Sequence, residues 1–135
     1  MPSIMTTELL AAALLDMELH NLTDTENLNV VAFEKETMDK LGLIPEIAPR
    51  YRATYFSHII GGYAAGYYSY LWAEVLDTDA FEAFKEHGVF DKNTADSFRK
   101  NILEKGGTED PMTLYRGFRG ADPSLEPLLK NRGLK

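Results

Sequence analysis

Apolar side chains recur every three or four residues through most of the chain, and no stretch of convincing length alternates apolar with polar. A period near 3.6 lines one face of a helix, whereas a half-buried strand needs a period of two. The expected fold class is all-α, with about six or seven helices. At 135 residues one helical domain over 1–135 is expected, since domains usually run to ~100–200 residues. Cysteine is absent, so neither disulfides nor thiolate metal sites can brace the fold.

The helix boundaries are marked by residues with a physical role. Leu9, Leu10, Ala13, Leu14 and Met17 predict a first helix over about 7–20, capped by Thr6 or Thr7. A second follows from Val30, Phe33, Thr37, Met38 and Leu41 to Gly42, a favourable residue just past a helix end. Pro45 and Pro49 make the next stretch an irregular connector. After Gly61-Gly62 the spacing predicts a helix beginning near Tyr63 and broken near Asp77, where Asp77 or Thr78 would cap a further helix ending at Gly88. Asp91 and the pair Asp110-Pro111 announce two more, and 125–130 can hold another turn or two.

Charge and histidine content exclude several functions. With 14 basic against 21 acidic residues the net charge is −7, the opposite of what a phosphate backbone attracts, so nucleic acid is not an expected partner. The N-terminal apolar run lacks a basic leader and is interrupted by Glu8, Asp16 and Glu18, which excludes a signal peptide or membrane span and predicts a cytoplasmic chain. The three histidines are His20, His58 and His87, and none opens an H-E-x-x-H helix for zinc. Asp16 and His20, four apart, read as an ion pair or cap, and His87 sits favourably at a helix C-terminus.

His58 heads the most informative segment, HIIGGYAAGYYSYLW. On a helix from Tyr63, the residues Tyr63, Tyr67, Tyr70 and Glu74 share one stripe, while Ala64, Tyr68, Leu71, Trp72 and Val75 form an apolar face able to be the buried one. The tyrosines are then available to line a cleft. Gly61-Gly62 would let a ligand approach the main chain, and Gly66 keeps the surface low between two tyrosines. Phenols and an imidazole are suitable donors to an oxyanion. The competing reading is that these rings are core or interface aromatics with their hydroxyls bonded to backbone.

TTELLAAALLDMELH, RYRATYFSHIIGGYAAGYYSYLWAEVLDTDAFEAF, FRKNILEKGGTEDPMTLYRGFRG and PSLEPLLKNRGL occur here in this order. Together they resemble the C-terminal portion of the zinc metallopeptidases that include peptidyl-dipeptidase Dcp, oligopeptidase A and thimet oligopeptidase. The resemblance implies a helical peptidase of short peptides, in which an upstream H-E-x-x-H helix and a later glutamate hold one zinc. It implies catalytic roles for His58, Tyr63 and Tyr70, and substrate contacts for Gly61, Gly62 and Tyr67. Because the zinc helix is missing, the chain is expected to be a fragment that binds no metal by itself, is inactive alone, and has the upstream half of the peptidase as its partner. A stand-alone peptide-binding or helical interaction module is the alternative. Helices shaped to pack against an upstream half would leave apolar faces uncovered, predicting a homo-oligomer or an exposed patch near the first helix and the tyrosine-bearing helix.

Overall fold

A computed structural model describes residues 2–135. Among them are six α-helices and no strand: α1 (Pro2–His20), α2 (Val30–Lys40), α3 (Ser69–His87), α4 (Lys92–Phe98), α5 (Pro111–Arg119) and α6 (Glu126–Asn131). The all-α expectation holds. No helix among the described residues is long and apolar enough to cross a membrane. The chain divides into two compact units, one ending at Trp72 and the other spanning Ala73–Lys135.

In the first unit α1 is apolar on more than one side. Leu9, Ala12 and Ala13 pack with Phe56, Ile59 and Tyr67, while Ala11 and Leu15 pack with Met38 of α2. Leu10, Leu14 and Met17, at helical spacing on the same helix, are nevertheless exposed. A helix that is apolar nearly all round belongs in the interior of a larger body, so the predicted uncovered patch is present on α1. Asn29 caps α2 by accepting the Ala32 N–H at 3.0 Å, and Gly42 takes φ +65° past its end. Buried Glu34 accepts the Ala53 N–H at 2.9 Å and pairs with Arg52 at 2.6 Å. That one carboxylate ties the proline-containing connector to α2, although the connector has little regular structure of its own.

In the second unit the punctuation residues act where the sequence places them. Asp91 accepts the Thr94 N–H at 2.7 Å to start α4, and Asp110 accepts the Thr113 N–H at 3.0 Å to start α5, with Pro111 in its first turn. Gly120 closes α5 at φ +77°. Phe84, Phe98 and Phe118 meet edge to face or tilted. Tyr115 donates to buried Asp79 at 2.6 Å, Arg119 grips Glu86 through two hydrogen bonds, and Arg132 holds Glu74.

Three expectations are corrected here. α1 starts at Pro2, so Thr6 and Thr7 lie inside it, and Thr7 donates its hydroxyl to the Ser3 carbonyl at 3.0 Å instead of capping the helix. The break near Asp77 does not occur: α3 runs unbroken from Ser69 to His87. Thr78 donates its hydroxyl back to the Glu74 carbonyl at 2.7 Å instead of capping a new helix, and the adjacent Asp79 is satisfied by Tyr115. Potential capping groups with partners of this kind can sit inside a helix. Nor does a helix begin near Tyr63: 61–68 is a series of turns, and α3 starts at Ser69. The N–H groups of Ala65 and Tyr67 go to Asp16 of α1, and Ala65 sits at φ +52°, outside the right-handed helical region.

Candidate functional site

The segment from Tyr51 to Tyr70 folds its rings into one cluster. Short 3-10 turns at Ala53–Tyr55 and Ser57–Ile60 reverse the chain and point Phe56 and Ile59 into the core. His58 then lies among five aromatic side chains, with ring centroids 5.0 Å from Tyr51, 5.9 Å from Phe56, 6.0 Å from Tyr63, 5.2 Å from Tyr67 and 6.2 Å from Tyr70. Its Nδ1 is buried and has no hydrogen-bond partner. Buried polar atoms without a protein partner are uncommon inside a folded chain.

Tyr63 and Tyr70 stack at 5.1 Å with an interplanar angle of 17°. The hydrogen bond with Tyr63, followed by partial desolvation, pushes the Tyr70 hydroxyl up to about 12. Both rings are 41% exposed, whereas Tyr67 is 3% exposed. Burial pushes the Tyr67 hydroxyl up; a hydrogen bond with Arg50 opposes that shift and one with Tyr51 reinforces it. The exposed stripe is thus split: Tyr63 and Tyr70 face outward, and Tyr67 supports them from the core, meeting Tyr70 edge on at 5.2 Å.

The predicted buried face holds only in part. Val75 is buried and Leu71 packs on the core, but Ala64, Tyr68 and Trp72 are exposed. The turn at Ala65 takes Ala64 out of helical register, whereas Trp72 lies on α3 itself and simply faces away from Leu71. Gly61 and Gly62 lie side by side next to His58, and neither takes a positive φ. A Cβ added at either would meet nothing within 4 Å, so their contribution is an open strip of main chain, not an unusual conformation. The unusual conformation belongs to Ala65.

Sequence reasoning missed Tyr51 and Phe56 as walls of the cluster and left Arg50 aside. The prolines at 45 and 49 hid them, since an irregular connector has no period from which a facing side can be read. A separate cavity of about 910 Å³ lies beside α2, walled by Val31, Met38, Ile44, Pro45 and Ile47; His58, Tyr63 and Tyr70 do not line it. Among the described residues no three histidine, aspartate or glutamate side chains converge to hold a metal ion. No ligand set among the described residues fits the zinc that the resemblance implies.

A family model for Peptidase family M3 matches residues 1–134. The chain belongs to peptidase family M3. It is similar to the dipeptidyl carboxypeptidase of Escherichia coli, with 46% identity over 134 residues, covering 94% of this chain and 19% of that protein. The Salmonella typhimurium dipeptidyl carboxypeptidase is 44% identical over 131 residues, again 19% of its length. Oligopeptidase A of Escherichia coli is 57% identical over 81 residues, 59% of this chain and 12% of that protein. The chain thus spans about a fifth of the length of the dipeptidyl carboxypeptidases it matches, and the aromatic turn is a piece of an M3 peptidase sequence.

Proposed function

We propose that the chain is the C-terminal portion of a zinc-dependent M3 peptidase acting on short peptides, and that it supplies oxyanion donors and part of the substrate wall. The observation that carries this reading is the buried, unpartnered Nδ1 of His58, enclosed by tyrosines of which two present hydroxyls outward. When water adds to a peptide carbonyl, its oxygen gains negative charge, and the stacked Tyr63 and Tyr70 supply phenolic O–H donors to it, one proton from each hydroxyl that is not already given to a neighbour. A donor of this kind stabilises the transition state by ~3–4 kcal/mol. His58 engages the substrate beside them, Gly61 and Gly62 admit its main chain, and Tyr67 keeps the two outer rings in place.

Zinc, when bound in the intact family enzyme, supplies an activated water; its ligands belong to polypeptide outside this chain. The same polypeptide would cover Leu10, Leu14 and Met17 of α1, and self-association of the isolated chain through that face is the competing outcome.

Incubating the 135-residue chain with zinc and an internally quenched peptide is expected to give no hydrolysis. Chelator-sensitive cleavage would overturn the assignment of the metal ligands to another segment. In a polypeptide extended to include the zinc helix, Tyr63→Phe should lower kcat by about 10²–10³. Unchanged kcat would remove the oxyanion role. Micromolar peptide binding by the chain alone, measured by calorimetry, would favour a stand-alone binding module instead.

A further inference from the structure

Asp16 is the most deeply placed charge in the first unit, with a side chain of 0% relative exposure. Its carboxylate is not idle: Oδ1 accepts the Ala65 N–H at 3.0 Å and Oδ2 the Tyr67 N–H at 2.9 Å. His20, one helical turn along α1, places Nδ1 2.9 Å from Oδ1 and 2.8 Å from the Asp16 carbonyl oxygen. Two backbone donors thus meet one buried carboxylate, with the His20 ring beside it and bonded to the Asp16 carbonyl, and a buried charge is tolerated where it is hydrogen-bonded in this way. The two donors are alternate amides of the tyrosine turn, and the residue between α1 and those amides in conformational terms is Ala65, at φ +52°. A right-handed residue next to a left-handed one turns successive N–H groups to one side and forms a concavity that binds anions. Here the left-handed residue is Ala65, and the N–H groups of Ala65 and Tyr67 both turn to one carboxylate of α1.

We infer that Asp16 is the positioning residue of the aromatic turn: its carboxylate holds the backbone at 65 and 67 and thereby sets where Tyr63 and Tyr67 project against His58 and Tyr70. The consequence is a choice of backbone. A helix continued back from Ser69 would give the Tyr67 N–H to the Tyr63 carbonyl; the carboxylate takes that N–H and leaves the segment as turns. The Tyr63 ring then lies flat on Tyr70, a contact between a turn and the first turn of α3. His20 acts one step further back by fixing the carboxylate. This rests on the reading that the turn carries function, but the geometry can be tested without it.

The test is made by nuclear magnetic resonance on the 135-residue chain, with Asp16→Asn and, as a destabilised control, Leu15→Ala. Asparagine preserves shape but presents an NH2 group to one of the two amides, so the clamp fails with little change in volume. Leu15 is buried in the other cluster of α1, against Met38, and its truncation lowers stability without touching the carboxylate. Expected in the unaltered chain are Ala65 and Tyr67 amide protons displaced downfield relative to the same protons in Asp16→Asn, as the stronger charge-assisted bonds produce. Asp16→Asn should also lose the Tyr63–Tyr70 ring Overhauser contacts, while Leu15→Ala melts lower yet keeps both the displacement and the contacts.

Ordinary amide positions in the unaltered chain would overturn the inference even if Asp16→Asn failed to fold. Retained ring contacts in Asp16→Asn, or their equal loss in Leu15→Ala, would overturn it as well. These readouts need neither peptide nor metal. If they hold while Tyr63→Phe leaves hydrolysis by the extended polypeptide intact, the oxyanion role fails and the positioning role stands.

Discussion

The aromatic turn and the starts of α4 and α5 are held by the same chemistry at very different distances. Asp91 and Asp110 each accept a backbone N–H from three residues ahead. Asp16 accepts two, from residues 49 and 51 positions away. In the first case an aspartate can be recognised as a cap from the string of letters around it, because the donor's position is set by the helix it begins. In the second, nothing near Asp16 says which amides it will meet; only the return of the chain through 53–60 brings them. The local device produces a helix, and the distant one prevents a helix from starting early.

The contrast can be broken or sharpened by substitution. The largest effect is expected for Phe56→Ala: Phe56 is fully buried and touches both the α1 cluster and His58. Loss of such a ring costs ~3–5 kcal/mol, and denaturant unfolding of the first unit should show it; a cost under about 1 kcal/mol would mean that the turn does not depend on this distant support. Asp110→Ala should cost ~0.5–2 kcal/mol, the usual value of a helix N-cap, with amide exchange quickened in the first turn of α5 and not at 65–67. Exchange that spread to the turn would erase the distinction between local and distant control.

Ala65→Gly should stabilise the chain slightly, by less than about 1 kcal/mol. Relief of a left-handed non-glycine residue outweighs the added flexibility of the unfolded chain. A destabilised variant would mean that the methyl group contributes more than its backbone strain costs. The smallest effect is a pH dependence. The Thr94 N–H, and after it the Thr94 hydroxyl, hold the Asp91 carboxyl below the ordinary carboxylate range. A depressed folded value stabilises fully above the unfolded value of about 3.9 and is lost as pH falls through the folded one. Amide protection at the start of α4, taken relative to the intrinsic exchange rate at each pH, should therefore fall on acidification within that acid range, and protection that rose would reverse the sign.

Much of the fold was legible in the order of residues. α2, α4, α5 and α6 lie where periodicity and punctuation put them. α1 ends at His20 as expected although it starts earlier than its expected cap, and α3 ends at His87, just before Gly88 at φ +111°. Three further details escaped. Asp77 and Thr78 look like a helix start, but Thr78 bonds backward to the Glu74 carbonyl inside an unbroken α3. Tyr63 looks like a first helical residue, but Asp16 claims amides that a helix would use. Tyr67 looks equivalent to Tyr63 and Tyr70, but it points into the core beneath them.

The candidate site divides in the same way. His58, Gly61, Gly62 and the three tyrosines could be singled out from their types and spacing, whereas Tyr51, Phe56, Arg50 and Asp16 enter only when the connector folds back. By itself the sequence determined the helical class, most helix ends, the absence of thiol chemistry and the family to which the chain belongs, because these depend on neighbours within a few positions or on matching residues in order. Tertiary structure decided which tyrosines face outward and where α3 begins, because a buried carboxylate must gather its donors from wherever the fold supplies them. Here it drew them from a segment half a hundred residues away.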